Sequence, residues 1–178
     1  EEQFSFFFFL KEVSGIYYNS NSKLIWSIED SGNENEIYAL DSIGNIIRSI
    51  QITDIKNIDW EDITQDKTGN IYIGDFGNND NERKDLAIYQ ILSSDCNKNK
   101  VETSKKISFH YPEQTSFPPK KKDLLYDCEG FFEHNNHFYL FTKNRSKDFD
   151  GTTSLYKIPN EAGNHAAKLL GKFTACNE

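Results

Sequence analysis

The chain has 178 residues, 14% of them aromatic and 27% charged, with a formal net charge of −8 and a pI near 5.0. That length suffices for one domain with a real core, and the acidic balance excludes the usual nucleic-acid or anionic-membrane partner, since phosphate binding needs basic patches. The longest apolar run, Phe6 to Leu10, falls far short of the roughly 20 residues of a transmembrane helix.

In chain order, the first unit opens at Val13 with "VSGIYY", turns through "NSNSK", and continues as "LIWSI" and "IYAL". "NIIRSIQI" then suits an outer strand. The second unit starts at Trp60 with "WEDIT", turns through "QDKTGN", and continues as "IYIGD" and "IYQI", with "KKISFHY" as its outer strand. A Pro-rich connection, "YPEQTSFPPKKK", leads to the third unit at Asp127: "DCEGFF", the turn "EHNNH", "FYLFT" and "LYKI". The run Lys120–Lys122 reads as a solvated loop. "NEAGNHAAKLLGKF" suits one helical turn or another strand, and "LLGKFTACNE" looks like the beginning of a further segment.

Short apolar/polar alternations of period 2, divided by Asn/Asp/Gly turns, specify antiparallel β structure. The third strands of the units begin at 37, 88 and 155, so one plan repeats three times with loops of different length. Four strands per repeat of this size predict an all-β fold, a β-propeller of four-stranded antiparallel blades. The units fall near 13–52, 60–111 and 127–175 of a single domain, 1–178. Closed propellers usually have at least four blades. Either the N-terminal "FSFFFFL" lends a strand to the last blade, or the chain is part of a longer propeller whose edges are covered elsewhere.

These segments resemble a group of bacterial, mostly exported β-propellers related to the SdiA-regulated and esterase-like phytase families. The resemblance rests on "LKEVSGIYY", "IWSIEDSGNENEIYALD", "DWEDIT", "GNIYIGDFGNN" and "DCEGFF…FYLFTK", and spans about Val13 to Pro159. "DWED" followed by "GNIYIGDFGNN" is its most specific part. It implies an exported protein, in a group whose members are usually longer. More loosely, the pattern is similar to gluconolactonase-, paraoxonase- and NHL-type propellers. In those, a Glu before an innermost strand and Asn or Asp from other blades hold a divalent cation in the central channel.

In a propeller the first strand of each blade lines the channel, so residues at equivalent strand starts converge. Glu61 and Glu129 occupy one such place, with Ser14 in the first unit. Asp30, Asp75 and Lys143 are read as matching ends of second strands, with Asn33 and Asn78 just beyond the first two. Glu61, Glu129, Asp30 and Asp75 are therefore candidate ligands of a hard cation, Ca²⁺, which takes 6 to 8 oxygens. Asn33, Asn78, Lys143 and Trp60 are candidate channel or loop-face contacts. The same carboxylates equally serve as backbone N–H acceptors that fix turns, Asp62 among them.

Two functions follow: a ligand- or protein-binding module, or a Ca-dependent hydrolase of an ester, lactone or phosphoester. No G-x-S-x-G elbow supports a serine hydrolase. His134 and His137 flank a two-residue turn. Cys128, adjacent to Glu129, is expected to face the sheet packing while Cys96 and Cys176 could pair. The start "EEQF", without Met, and the sequon Asn144-Arg145-Ser146 fit an exported protein, secreted or lipid-anchored.

Overall fold

A computed structural model describes residues 10–147 and 150–174. The strand proposed for "FSFFFFL" and the pairing of Cys96 with Cys176 therefore lie outside the described residues, apart from Leu10 and Cys96.

The described chain is built from β-strands, with two single 3-10 turns at Ser93–Asp95 and Lys121–Asp123. The first sheet contains β1 (Val13–Asn19), β2 (Leu24–Glu29), β3 (Glu36–Leu40) and β4 (Ile46–Ile52) as an antiparallel meander. The second contains β5 (Trp60–Gln65), β6 (Ile71–Asp75), β7 (Ala87–Ile91) and β9 (Lys105–His110). The third contains β10 (Asp127–His134), β11 (His137–Lys143), β12 (Thr152–Pro159) and β14 (Lys168–Thr174). "NEAGNHAAKLLGKF" thus contributes strands. Its end is the outer strand of the third sheet, where the sequence suggested the start of a further segment.

Each of the first two sheets gains a fifth, parallel strand from chain that follows it. β8 (Lys100–Val101) pairs with β4, and β13 (Gly163–Ala166) pairs with β9. β13 covers Ile107–His110 of β9, whereas β8 covers only Gln51 and Ile52 at the end of β4; each added strand ties a sheet to its neighbour.

Turns follow the local chemistry. Asn135 and Asn136, with φ of 51° and 60°, make the two-residue hairpin between β10 and β11, where only residues tolerant of the left-handed region fit. "DSIGN" and "DKTGN" fold alike: Asp41 accepts the N–H groups of Ile43 and Asn45, and Asp66 those of Thr68 and Asn70.

The sheets stack face to face around their first strands, with β5 between β1 and β10. Trp26, Ile28, Ile37 and Ile50 of the first sheet pack on Trp60, Ile63, Ile71 and Ile73 of the second. The second sheet's other face, with Tyr72, Ile88 and Phe109, packs on Phe131, Phe138 and Leu140 of the third. Three four-stranded meanders stacked in this order, innermost strands together, are propeller blades.

The innermost strands approach so closely that β1 needs a glycine. A Cβ on Gly15 would lie 2.7 Å from Asp62 Cα and from Ile63 N, both backbone atoms that cannot yield. Overpacking of this kind costs about 1–3 kcal/mol or more. Gly15→Ala is expected to lower the midpoint of urea unfolding accordingly, and an unchanged midpoint would mean that the two strands are farther apart.

Candidate functional site

Each innermost strand carries one β-bulge, at the same place. The register slips between Val13 and Gly15, between Trp60 and Asp62, and between Cys128 and Gly130. The extra residues are Ser14, Glu61 and Glu129, the three equivalents read from the sequence. A bulge re-aims the side chain it adds, which is how these residues leave the alternating in–out pattern of their strands.

Counting from the bulges also corrects one alignment. Glu29, Asp75 and Thr142 pair with the residue before each bulge, so Asp75 matches Glu29 and not Asp30. A one-residue offset turns a side chain to the other face of a strand. Asp75 is accordingly buried away from Glu61, where its Oδ1 accepts Arg83 Nη2 at 2.9 Å and the Asp59 N–H at 3.2 Å. Asp30 and Lys143 are true equivalents and do approach the cluster.

Carboxylates gather in two overlapping groups, Asp30–Asp59–Glu61 and Glu61–Asp127–Glu129, with ligand oxygens in each group within 4.8 Å of one another. Glu61 belongs to both. Asp59 and Asp127 are the members that sequence reasoning missed. Each lies two residues before its bulge, so the chain repeats Asp-x-Glu at 59–61 and 127–129, with Glu12-Val13-Ser14 in the first blade. That repeated triplet was the available signal.

The two groups differ in how their charge is met. Asp127 is fully buried and accepts Arg145 Nε at 2.6 Å and the Asn78 N–H at 2.7 Å. Arg145 Nη2 also bonds Glu129 at 2.7 Å, and Lys143 Nζ stands 3.6 Å from the same oxygen. In the other group Asp30 accepts its neighbour's N–H, from Ser31. The nearest guanidinium, Arg83, is committed to Asp75, Asp85 and the Gly77 carbonyl.

Burial, followed by repulsion from Glu129, Asp59, Asp30 and Asp127, pushes Glu61 up to about 8. Burial and then Asp30 raise Asp59, although Arg83 pulls the other way. Burial, and next the adjacent Asp127, raise Glu129 against Lys143 and Arg145.

Gly77 forms the floor. A Cβ there would lie 2.3 Å from Glu61 Oε1 and 2.4 Å from the Asp59 carboxylate, so only glycine lets both acids lie over the backbone. Asn78 is buried and structural: its side chain donates to the Tyr126 carbonyl and accepts the Arg83 N–H. Asn33 donates to Glu12 and to the Asp30 carbonyl, holding the loop behind Asp30. Trp60 does not reach the site; it is fully buried between the first two blades, since the residue before the bulge still alternates into the sheet packing. Asp62 bridges the inner strands, accepting the Phe131 N–H at 2.9 Å. Cys128 is buried in the second core. The sequon residue Asn144 is also buried, with its amide donating to Asp150.

The sequence profile of the family described as SdiA-regulated matches residues 9–117, which covers the first two blades. This chain belongs to the SdiA-regulated family. A search of curated proteins finds no match. Among solved structures, this SdiA-regulated chain is similar to a selenomethionine-substituted virginiamycin B lyase from Staphylococcus aureus. Identity there is 17%, the TM-score is 0.43, and the match covers 91% of this chain and 41% of that one. It is also similar to the C-terminal WD40 domain of Sif2, with 13% identity, a TM-score of 0.39, and coverage of 92% and 34%. The chain thus spans well under half of either structure. Among the described residues of this family member, no helix is long and apolar enough to cross a membrane.

Proposed function

We propose that this chain is the three-blade part of an exported β-propeller binding module that holds a calcium ion where its innermost strands begin. The observation that carries the reading is the convergence of Asp30, Asp59 and Glu61 within 4.8 Å over Gly77. Ligands each about 2.4 Å from one Ca²⁺ lie at most about 4.8 Å apart, so this spacing suits such an ion. The donors are all carboxylate oxygens, the hard ligands calcium prefers. Asp30, Asp59 and Glu61 would hold the ion, while Asp127 and Glu129 stay with Arg145. A bound cation would supply a fixed positive charge that organises the loop face for a ligand. In an exported protein such a site would work at ~10⁻⁴–10⁻³ M calcium, the range of extracellular modules.

The experiment is calcium titration by calorimetry. Gly77→Ala is expected to weaken binding at least tenfold at unchanged far-UV circular dichroism, because its Cβ displaces both carboxylates. Equal affinity in the variant would refute the assignment.

Without metal, Glu61 makes stability depend on pH. Its folded value of about 8 exceeds the ordinary 4.5, so between these the folded protein holds a proton that the unfolded chain has released. The stabilisation is full below 4.5 and is lost as pH rises through 8. Asp62, pushed up to about 6 by burial, adds loss in the same direction between 3.8 and 6. Melting temperature in EDTA should therefore fall from pH 5 to pH 8.5, and Glu61→Gln should flatten the upper part of that fall. A flat wild-type profile would contradict the burial of these acids.

A metal-dependent hydrolase is the second reading, favoured by the overlap of two carboxylate groups at Glu61, where a held cation would polarise a scissile group as a Lewis acid. EDTA-sensitive turnover of aryl esters, lactones or phosphoesters that Glu61→Gln abolishes would support it, and absence of turnover with calcium present would remove it.

A further inference from the structure

The loop between β6 and β7, the end of β9 and the connection that follows it enclose a cavity of about 280 Å³ beside the outer strand of the second blade. Leu86, Phe109, Tyr111 and Phe117 form its apolar walls. The first three are buried, and Phe117, 36% exposed, is the wall next to solvent. Every lining residue falls between Arg83 and Phe117, within the second blade and the connection after it.

These walls are tied together. The Phe109 N–H donates to the Leu86 carbonyl at 3.1 Å, and Gln114 Nε2 donates to the Asn81 carbonyl at 2.7 Å. The Asn81 side chain accepts the Tyr126 N–H at 2.8 Å. Loop, strand and connection are thereby fixed to one another, so a ligand meets a formed site and loses little to ordering it. Small-molecule sites share this lining of apolar and aromatic side chains with a few polar groups at the rim, and the volume falls at the small end of their ~300–1,000 Å³ range. The cavity around Asp66, Glu133 and Asn160 is by contrast lined by polar side chains alone.

Of the two basic residues that precede β7, one is committed and one is not. Arg83 is held by Asp75, Asp85 and the Gly77 carbonyl. Lys84 makes no salt bridge among the described residues, and its Nζ stands 4.7 Å from the centre of the Phe117 ring. Attraction to the ring keeps the ammonium at the rim and leaves its N–H donors for an anion.

We propose that this cavity binds a small aromatic carboxylate, its ring among Leu86, Phe109 and Phe117 and its carboxylate on Lys84. A flat ring makes edge and offset contacts with aromatic walls, which an aliphatic chain of equal volume does not. A neutral ligand would leave Lys84 unused, and a cation would meet it as a like charge. The cavity contains none of the carboxylates assigned to calcium and stands without that assignment.

Calorimetric titration with naphthoate in EDTA tests it. Binding is expected with a Kd on the order of 10⁻⁴ M, as suits so small a ligand. Lys84→Glu should weaken it at least tenfold, because an attracting charge becomes a repelling one, while the neutral naphthylmethanol should bind variant and wild type alike. Phe117→Ala should weaken both ligands at least fivefold. Both side chains are exposed, so circular dichroism should not change. Phe132→Ser is the control: Phe132, 42% exposed, stacks on Tyr139 on the open face of the third blade, and its loss should leave binding as it was. No binding, or binding indifferent to Phe117→Ala, overturns the site. Loss of binding with Phe132→Ser would place the ligand on the third blade and overturn it too. Unchanged affinity of the Lys84→Glu protein for naphthoate overturns the carboxylate's place on Lys84.

Discussion

Saturating calcium raises the melting temperature of the metal-free protein at pH 8 by about 5–10 °C. A ligand at a hundred times its Kd, bound to the folded state alone, contributes about 2.7 kcal/mol. For a chain of this size each kcal/mol shifts the midpoint by roughly 2–4 °C. Glu61→Gln has two effects of opposite sign. In EDTA at pH 8 the variant melts higher than wild type, because a neutral amide no longer faces Glu129, Asp59, Asp30 and Asp127 as a buried charge. With calcium it gains nothing. Differential scanning calorimetry reads both. If the wild type shows no shift with any divalent cation, and elemental analysis finds no metal, the cation site does not exist.

Arg145→Met lowers stability by about 2–4 kcal/mol, because it strands a buried charge. Asp127 is fully buried, and Arg145 is its only cationic partner among the described residues. The lower end allows for the one-third exposure of Arg145, where water screens the pair. Adding Asp127→Asn should recover most of the loss, since a neutral side chain still accepts the Asn78 N–H. Calcium should also restore part of it, because Glu61, Asp127 and Glu129 are then free to take a cation. Urea unfolding of the four combinations, each with and without calcium, separates these terms. A loss under about 0.5 kcal/mol, within the range of ordinary surface changes, would mean that water already solvates Asp127.

The two clusters show how site and scaffold are linked. The bulge aims Glu61 inward, the Gly77 backbone gives it room, and Asp75 with Arg83 holds the Asp59 N–H and the Gly77 carbonyl in place. Asp75 therefore acts through the residues beside it. Its substitution would loosen the floor of the site rather than remove a ligand.

Much of the fold is present in local pattern. Alternation of period 2, the Asp-x-x-Gly-Asn turns and the Asn135-Asn136 hairpin each act over a few residues, so three meanders can be read directly. The same holds for Glu61 and Glu129, which stand at matching places before similar strands. Local pattern misplaces Asp75 because Ile25 and not Leu24 is the counterpart of Ile71, and Trp60 because it stands just before the one-residue offset of a bulge, which has no composition of its own. Asp59 and Asp127 were hidden because their role depends on that same offset.

The sequence by itself determined the all-β class, the three repeats and the two glutamates that mark each later blade's start. All of these depend on periodicity and short-range turn chemistry. Only the tertiary structure decided which carboxylates meet, that Arg145 neutralises one group and leaves the other charged, and which sheet faces stay open. Those outcomes depend on side chains from separate blades, tens of residues apart, brought together by packing that no local pattern records.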